Sequence, residues 1–462
     1  MQSATGARLP DRRTIERVIA DVSEGLVERD AQARCLVLAA LCGEHVLFVG
    51  PPGTAKSELA RRLHRVIGGR YFERLLTRFT VPEELFGPLS LAALDAGRYE
   101  RDIDGYLPTA SIAFLDEVFK ANSAILNALL TLLNEREFDQ GAARIAAPLV
   151  TVVAASNEVP DDETLRAFFD RFLFRCAVAP VSDDGFERLL DAGGPARGGG
   201  AALDVGALAA EQAAAGAVRV PGEIVAALRE LRAFARGEAM PVSDRRWVRI
   251  VRALRVAAAA NGRDAVALDD LWIAQFLVCE NSAQAARVEG WFAERLGAGQ
   301  EVTPERLARV VQAFEKQIEL ERSATELAFD DSGKLALVQR VAGADADAMS
   351  GAAPRMSAFS RRKRFSATHI RARMAQIDAV LARVDAFAAD ANRQSDAVVA
   401  ALAANLWVAA PFRDRVRATF ASNLAKVLAQ RADLQRVRDE YAALPLADVD
   451  DGIPPEPVEV VA

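Results

Sequence analysis

The chain has 462 residues, 51% hydrophobic and 26% charged, a balance that excludes a mostly disordered polymer. At about 150 residues per domain the length suggests about three domains. Its 64 acidic residues outnumber 57 basic ones, for a net charge of −7, so no global basic field argues for nucleic acid.

The four cysteines, Cys35, Cys42, Cys176 and Cys279, have no C-x-x-C spacing. They fit buried thiols in a reducing compartment, not a disulfide framework or a zinc site. Only three histidines occur, His45, His64 and His369, too few for a His-rich metal centre. The Met-Gln-Ser-Ala start does not read as a signal peptide, and no run of 18 apolar residues reads as a membrane span. The expectation is a cytoplasmic protein.

Helical spacing of Ile15, Val18, Ile19 and Val22, and then of Leu36, Leu38 and Leu41, predicts helices over the first 40 residues. The pattern then changes. His45 to Val49, Ser111 to Leu115 and Leu149 to Ala155 are short apolar runs that read as buried parallel strands. Each ends in glycine or polar residues, and helical segments lie between them. Such alternation implies a parallel α/β sheet with helices on both faces and a site along the strand ends. Residues 192–200 (AGGPARGGG) read as a flexible connection. Residues 221–285 read as several helices, with stripes of Ile224, Leu228, Leu231 and of Val248, Val251, Leu254, Arg255. A small hairpin is expected from Leu327 to Val338 around Asp331-Ser332-Gly333, and 343–358 read as loose. Two long patterns follow. Ile370, Met374, Ile377, Leu381, Val384 and Ala388 form one, and Phe420, Leu424, Val427, Leu434 and Tyr441 the other, with Arg431 breaking its seam and Pro411 between them. They predict an antiparallel, coiled-coil-like hairpin over 367–444. Residues 448–462 are acidic and Pro-rich and read as a disordered tail.

Gly50-Pro51-Pro52-Gly53-Thr54-Ala55-Lys56-Ser57 follows the first strand directly and precedes the helical stripe Leu59, Leu63, Val66, Ile67. This is the phosphate-loop pattern G-x-x-x-x-G-K-[ST] with Ala55 in place of the second glycine. Its backbone amides can cradle phosphates at a helix N-terminus. Lys56 would reach the β/γ-phosphates of ATP and Ser57 would ligate Mg2+. Alanine at 55 implies a negative φ there, as at the start of a helix. Asp116, 60 residues after Lys56 at the end of another strand, suits an outer-sphere Mg2+ partner, and Glu117 the general base that activates water. Asn157, at the third strand's end, could place that water or touch the γ-phosphate; asparagine is also an ordinary turn residue.

GPPGTAKS, FLDE, AASNE and LRAFFDRFLFR together resemble the MoxR group of AAA+ ATPases. The stretches Thr77 to Ser90 (TRFTVPEELFGPLS), Ile125 to Phe138 and Val242 to Trp247 (VSDRRW) are closest to RavA-type members. The likeness covers about residues 10–290. It implies an AAA+ core over 1–192, a Gly/Ala-rich linker over 193–215, an α-helical lid over 216–290 and a mostly helical C-terminal extension over 291–447. Arg171 looks like the arginine finger offered to a neighbouring subunit's ATP, with Arg175 the alternative. Arg245 looks like the sensor 2 residue reaching from the lid to the phosphates, in preference to Arg246. Residues 86–107 correspond to an insert and 136–147, with Gly141, to a hairpin; Tyr99, Tyr106 and Leu107 are contact candidates there or plain packing. The resemblance further implies a homo-hexameric ring, a partner with a von Willebrand factor A (vWA) domain, and an unknown protein client that is remodelled. RavA carries a β-rich domain inserted into its C-terminal helices; no room for it is expected here between the hairpin near 330 and the helices from 367. Two other classes stay open: a ring ATPase on nucleic acid, for which Arg361-Arg362-Lys363-Arg364 is the sole basic cluster, and a nucleotide-controlled scaffold with little turnover.

Overall fold

A computed structural model describes residues 11–191 except 161, residues 203, 208 and 212–297, then 304–327, 337–339, 356–358 and 360–459. The chain divides into two compact units, residues 1–296 with 399–414, and residues 297–398 with 415–462.

In the first unit, helix α1 (Arg12–Ser23) buries Ile15, Val18, Ile19 and Val22, and Asp11 caps its N-terminus by accepting from the Thr14 amide. Helix α2 (Asp30–Cys42) is apolar almost all round and lies inside the fold. Strand β1 (Val46–Val49) leads through the glycine-rich loop into α3 (Lys56–Ile67), whose buried stripe includes Leu59, Leu63, Val66 and Ile67. After β2 (Tyr71–Leu75), α4 (Pro82–Phe86) and α5 (Leu91–Asp95) come β3 (Ile112–Asp116), α6 (Ser123–Glu135), the β4 (Glu137–Gln140) to β5 (Ala143–Ala146) hairpin, and β6 (Thr151–Ser156). Helix α7 (Glu163–Phe169), β7 (Phe174–Ala177) and α8 (Asp183–Asp191) complete the core.

The sheet has five strands in the order β2-β3-β6-β1-β7, all parallel. The three runs read as buried strands are its centre. Strands β2 and β7 add to that reading: β2 is an edge strand with a mixed sequence, and β7 is only four residues long. Neither carries the long apolar run that marks a buried strand. Leu115, Val152 and Ala154 pack with Leu129, Leu132 and Phe172 in the main core. His45 is part of that interior: its Nδ1 accepts from the Val152 amide at 3.0 Å, so Nε2 donates to the Leu133 carbonyl at 2.9 Å. Burial pulls its pKa well down and keeps the ring neutral. All four cysteines are buried.

The lid has α9 (Gly222–Gly237), α10 (Asp244–Ala260), α11 (Ala274–Val278) and α12 (Ser282–Gly297). Ile224, Leu228 and Leu231 are buried as the spacing predicts, whereas Val248 faces solvent and Ile250 and Ala253 take the buried face of α10. Residues 399–414, about 100 positions further on, complete this unit. Trp407 is fully buried and donates Nε1–H to the Ala257 carbonyl, while Trp272 donates to the Trp407 carbonyl, both at 3.0 Å. Phe412 lies 3.9 Å from the Trp272 ring centre, and Asn405 bonds Asp269 and Asp270.

The second unit is built on α13 (Pro304–Ser323) and the unit's share of α14 (Ala367–Ala404) and α15 (Ala410–Ala442). Leu307, Val311, Phe314 and Ile318 of α13 pack with Ile377, Leu381, Val384, Val427, Leu434 and Tyr441. The two-helix expectation therefore becomes a three-helix core. Arg431, which interrupts the seam, reaches out of it to pair with Asp385.

The hairpin expected over 327–338 is corrected by the pairing. Strand β8 (Thr325–Leu327) pairs with β11 (Ser360–Arg362), and β9 (Leu337–Gln339) with β10 (Met356–Ala358), both antiparallel. Local turn residues suggested an adjacent pairing, but the partners lie across an intervening segment, a nonlocal choice no turn signal encodes. Asp331-Ser332-Gly333, residues 343–355 and the 192–200 stretch lie outside the described residues. The acidic segment from Asp448, read as a loose tail, is tied down where it is described. Asp448 pairs with Arg364, Asp450 accepts from Thr368, the Glu456 carbonyl accepts from Arg373 at 2.6 Å, and Val458 packs on the helical core. No described helix is long and apolar enough to cross a membrane.

Candidate functional site

Parallel pairing brings four strand ends to one edge. Val49 is level with Ser156 on one side and Ala177 on the other, and β3 ends there in Asp116. The loop from Gly50 to Ser57, Asp116, Glu117 and Asn157 therefore meet at the carboxyl edge of the sheet, where ligands bind in open α/β folds.

A Cβ at Gly50 would sit 2.0 Å from the Val178 carbonyl oxygen, so only glycine lets the loop leave β1 beside β7. Gly53 has φ +78° and open space around it. Ala55 has φ +67° and stands just before the first residue of α3, in the left-handed region and not the negative φ expected from its side chain. The turn from loop to helix needs that conformation, and alanine accepts it at a cost of about 1–2 kcal/mol. Lys56 is buried, and its Nζ donates to the Gly50 and Pro51 carbonyls at 2.5 and 2.9 Å. Burial lowers its pKa, against the opposing pull of Asp116 and Glu117. The Thr54 hydroxyl closes the loop on the Pro51 carbonyl at 2.9 Å.

Asp116 accepts from the Glu117 amide at 3.0 Å. Glu117 follows with φ +51°, so the chain turns sharply as it leaves the strand. Its carboxylate accepts from Asn157 Nδ2 on one oxygen and lies 3.4 Å from Lys120 Nζ on the other. The base candidate and the third strand's asparagine are thus in direct contact. The donors and acceptors suit a magnesium nucleotide. A lysine, open glycine space and the N-terminus of a twelve-residue helix face phosphate, while a hydroxyl and a carboxylate are hard oxygen ligands.

Sequence patterning overlooked Arg29, the last residue before α2. It is 4% exposed. Its Nε donates to the Thr54 carbonyl at 3.0 Å, Nη2 to the Ala179 carbonyl at 2.7 Å and Nη1 to the Glu28 carbonyl at 2.8 Å. A charged residue just ahead of an apolar helix was the available signal.

The arginines lie elsewhere. Arg171 stands three positions before Phe174, which is level with Val46 at the start of β1. That is the amino edge of the sheet, about 13 Å from the loop for a four-residue strand. Arg171 is partly buried, its Nε has no partner, and its pKa is lowered by burial and by the neighbouring Arg245. Arg245 is exposed and extends toward Asn134 near the end of α6. Within this chain Arg245 is held away from the phosphate loop, because the lid packs its α10 N-terminus against the amino edge. Arg246 holds that packing. It is fully buried, donates to the Leu277, Phe172 and Leu173 carbonyls at 2.6, 3.1 and 2.6 Å, and pairs with Asp170. Burial brings its pKa down to about 10. Arg249 pairs with Glu44 and donates to the Arg171 carbonyl at 3.1 Å. Arg175 is interior too, 3.8 Å over the Phe169 ring and paired with Asp170, its pKa pushed by burial to about 9.

The β4–β5 hairpin forms over 137–146 as expected, and it packs on the insert. A Cβ at Gly141 would meet the Tyr99 carbonyl oxygen at 2.4 Å, and Gln140 donates to the Arg101 carbonyl at 2.6 Å. Tyr99 is exposed, Tyr106 is partly buried, and Leu107 is fully buried core rather than a contact residue.

Residues 13–203 match the family described as the MoxR domain in the MoxR-vWA-beta-propeller ternary systems, and residues 223–292 match the AAA lid domain. The chain belongs to the MoxR family of AAA+ ATPases. It is 39% identical over 259 residues to an uncharacterised protein of Methanocaldococcus jannaschii, covering 56% of this chain and 69% of that one. It is also similar to the chaperone MoxR1 of Mycobacterium tuberculosis, at 29% identity over 37% of this chain and 46% of the relative. The protein MoxR of Paracoccus denitrificans matches at 31% identity over 33% and 46% of the two chains. None of these three likenesses spans more than 56% of this MoxR-family chain.

Proposed function

We propose that this chain is a Mg2+-dependent ATP hydrolase that works as a homo-hexameric ring and remodels a protein client with a vWA-domain partner. The observation that carries the reading is the division of the site. The phosphate loop, Asp116, Glu117 and Asn157 lie at one edge of the sheet, and Arg171 and Arg245 at the other. A lone subunit holds two half-sites that cannot close on one nucleotide. Neighbours in a ring would bring the arginine edge of one to the loop edge of the next.

In that arrangement the loop amides and Lys56 bind the phosphates, and Ser57 and Asp116 hold Mg2+, which supplies charge neutralisation at the transferred group. Glu117 takes a proton from the attacking water. Asn157, already bonded to Glu117, orients that carboxylate. Arg171 and Arg245 come from the neighbour to the developing charge. Arg175 and Arg246 serve the fold, which their burial supports.

The partner rests on the matched family's description, which names vWA and β-propeller components. A chaperone-like role is carried over from MoxR1. The RavA-type affiliation is narrower and rests on the ELFGPL and SDRRW motifs. Two short strand pairs, β8–β11 and β9–β10, lie between the helices of the C-terminal region. Buried cysteines without C-x-x-C spacing fit a cytoplasmic setting.

Glu117→Gln and Arg171→Ala subunits test the reading when mixed. Each is expected to be inactive alone, and the mixture to regain turnover at interfaces that pair an intact Glu117 with an intact Arg171. No recovery in assembled mixed rings would sink the shared site.

A further inference from the structure

Arg29 lies outside every motif of the site, yet its guanidinium is tied to the phosphate loop. Thr54 sits between two left-handed residues, Gly53 at φ +78° and Ala55 at φ +67°. A backbone carbonyl turned inward at such a place needs a donor, because an unpaired buried carbonyl costs about as much as a lost hydrogen bond. Arg29 supplies it through Nε at 3.0 Å. The same side chain grips the Ala179 carbonyl, two residues past β7. The residues beside it reinforce the link: Glu28 accepts from the Ser182 amide at 2.9 Å, and Gln32 donates to the Ala177 carbonyl at 3.1 Å.

The peptide between Thr54 and Ala55 is planar and trans, so its C=O and N–H point in opposite directions. Drawing the Thr54 carbonyl toward buried Arg29 turns the Ala55 amide away from it, to the open side of the loop beside Gly53. The left-handed φ of Ala55, which the turn from loop to helix requires, is compatible with that orientation.

We infer that Arg29 is a positioning residue for nucleotide binding, which sets the Thr54–Ala55 peptide so that the Ala55 amide donates to a phosphate oxygen. This rests on the ATPase reading proposed above. Arg29 acts through the loop and touches no substrate. Its loss frees a peptide plane that must be reordered each time nucleotide binds, so affinity falls while the chemistry of Glu117 and Asp116 is kept.

The test uses the full-length chain with fluorescent mant-ATP for binding and phosphate release for turnover. Arg29→Met is expected to raise both Kd and KM on the order of tenfold to a hundredfold, with kcat close to wild type. Arg29→Lys keeps the charge but cannot bridge both carbonyls, and is expected to fall between. Arg62→Met is the comparison. Arg62 is also buried, but its partners are the Glu24 carbonyl and the Glu58 carboxylate, not a loop carbonyl. It is expected to lower Tm and leave KM unchanged. If Arg29→Met does not fold, Arg29→Lys carries the same KM-against-kcat comparison. A folded Arg29 variant with wild-type Kd, or equal KM increases in the Arg29 and Arg62 variants, would overturn the inference alone. A wild type that binds no mant-ATP would overturn the ATPase reading and this inference with it.

Discussion

The two edges of the five-stranded sheet carry opposite chemistry. At the carboxyl edge a buried lysine sits beside Asp116 and Glu117, and burial lowers its pKa against their opposing pull. At the amino edge Arg171, Arg245 and Arg249 crowd together, with Glu44 pairing Arg249. Like charges at such spacing cost energy unless an anion joins them. On the proposed reading each edge stores half a site, one recognisable by motif and one by clustered arginines.

The comparison can be broken from either edge. The largest effect is expected from Arg171→Ala, a fall in kcat on the order of 10³-fold with mant-ATP affinity nearly unchanged. Weaker nucleotide binding with intact kcat would instead mark Arg171 as a ligand of the ground state. Next comes Glu117→Gln, with turnover down about 10²-fold or more and binding kept. An unaltered phosphate-release rate would remove Glu117 as the base. Arg175→Met should separate structure from chemistry at the amino edge. Its lost bonds are expected to cost about 1–3 kcal/mol in denaturant unfolding, with kcat of the folded fraction preserved. A catalytic defect as deep as that of Arg171→Ala would make Arg175 the finger.

The smallest effect concerns what holds α10, the helix that carries Arg245, Arg246 and Arg249. Near its far end Asp270 is fully buried, pairs with Arg263 and bonds Asn405. Burial, against the pull of Arg263, pushes its pKa up to about 7 from an ordinary 3.8. The folded chain then keeps a proton that the unfolded chain releases, so stability declines as pH rises from about 4 and levels off above about 7. Asp270→Asn is expected to flatten that slope in Tm measured across the range. An unchanged slope would assign the pH dependence to other groups.

The loop and the acidic pair were legible because their chemistry is local. Gly50 to Ser57 are contiguous, and Asp116 and Glu117 announce themselves at a strand end. The left-handed Ala55 was not legible, since side-chain identity argues against that φ and only the path from loop to helix imposes it. Arg171 stood out through family motif, but nothing in the residues placed Arg245 beside it rather than at its own loop. That depended on Arg246 anchoring α10 to carbonyls of Phe172 and Leu173. Likewise the spacing in 367–444 showed two long helices. It did not show that α13 completes their core or that Trp407 belongs to the other unit.

By itself the sequence determined the local elements: apolar runs that must be buried strands, helical stripes, and a loop whose glycines and lysine suit phosphate. These follow from short-range periodicity and from the steric range of single residues. The tertiary structure alone decided which edge each charge occupies, how the strands around 325–362 pair, and why Arg29 is buried under the loop. Those outcomes depend on strand register and on backbone carbonyls, which every residue shares and no side-chain pattern records.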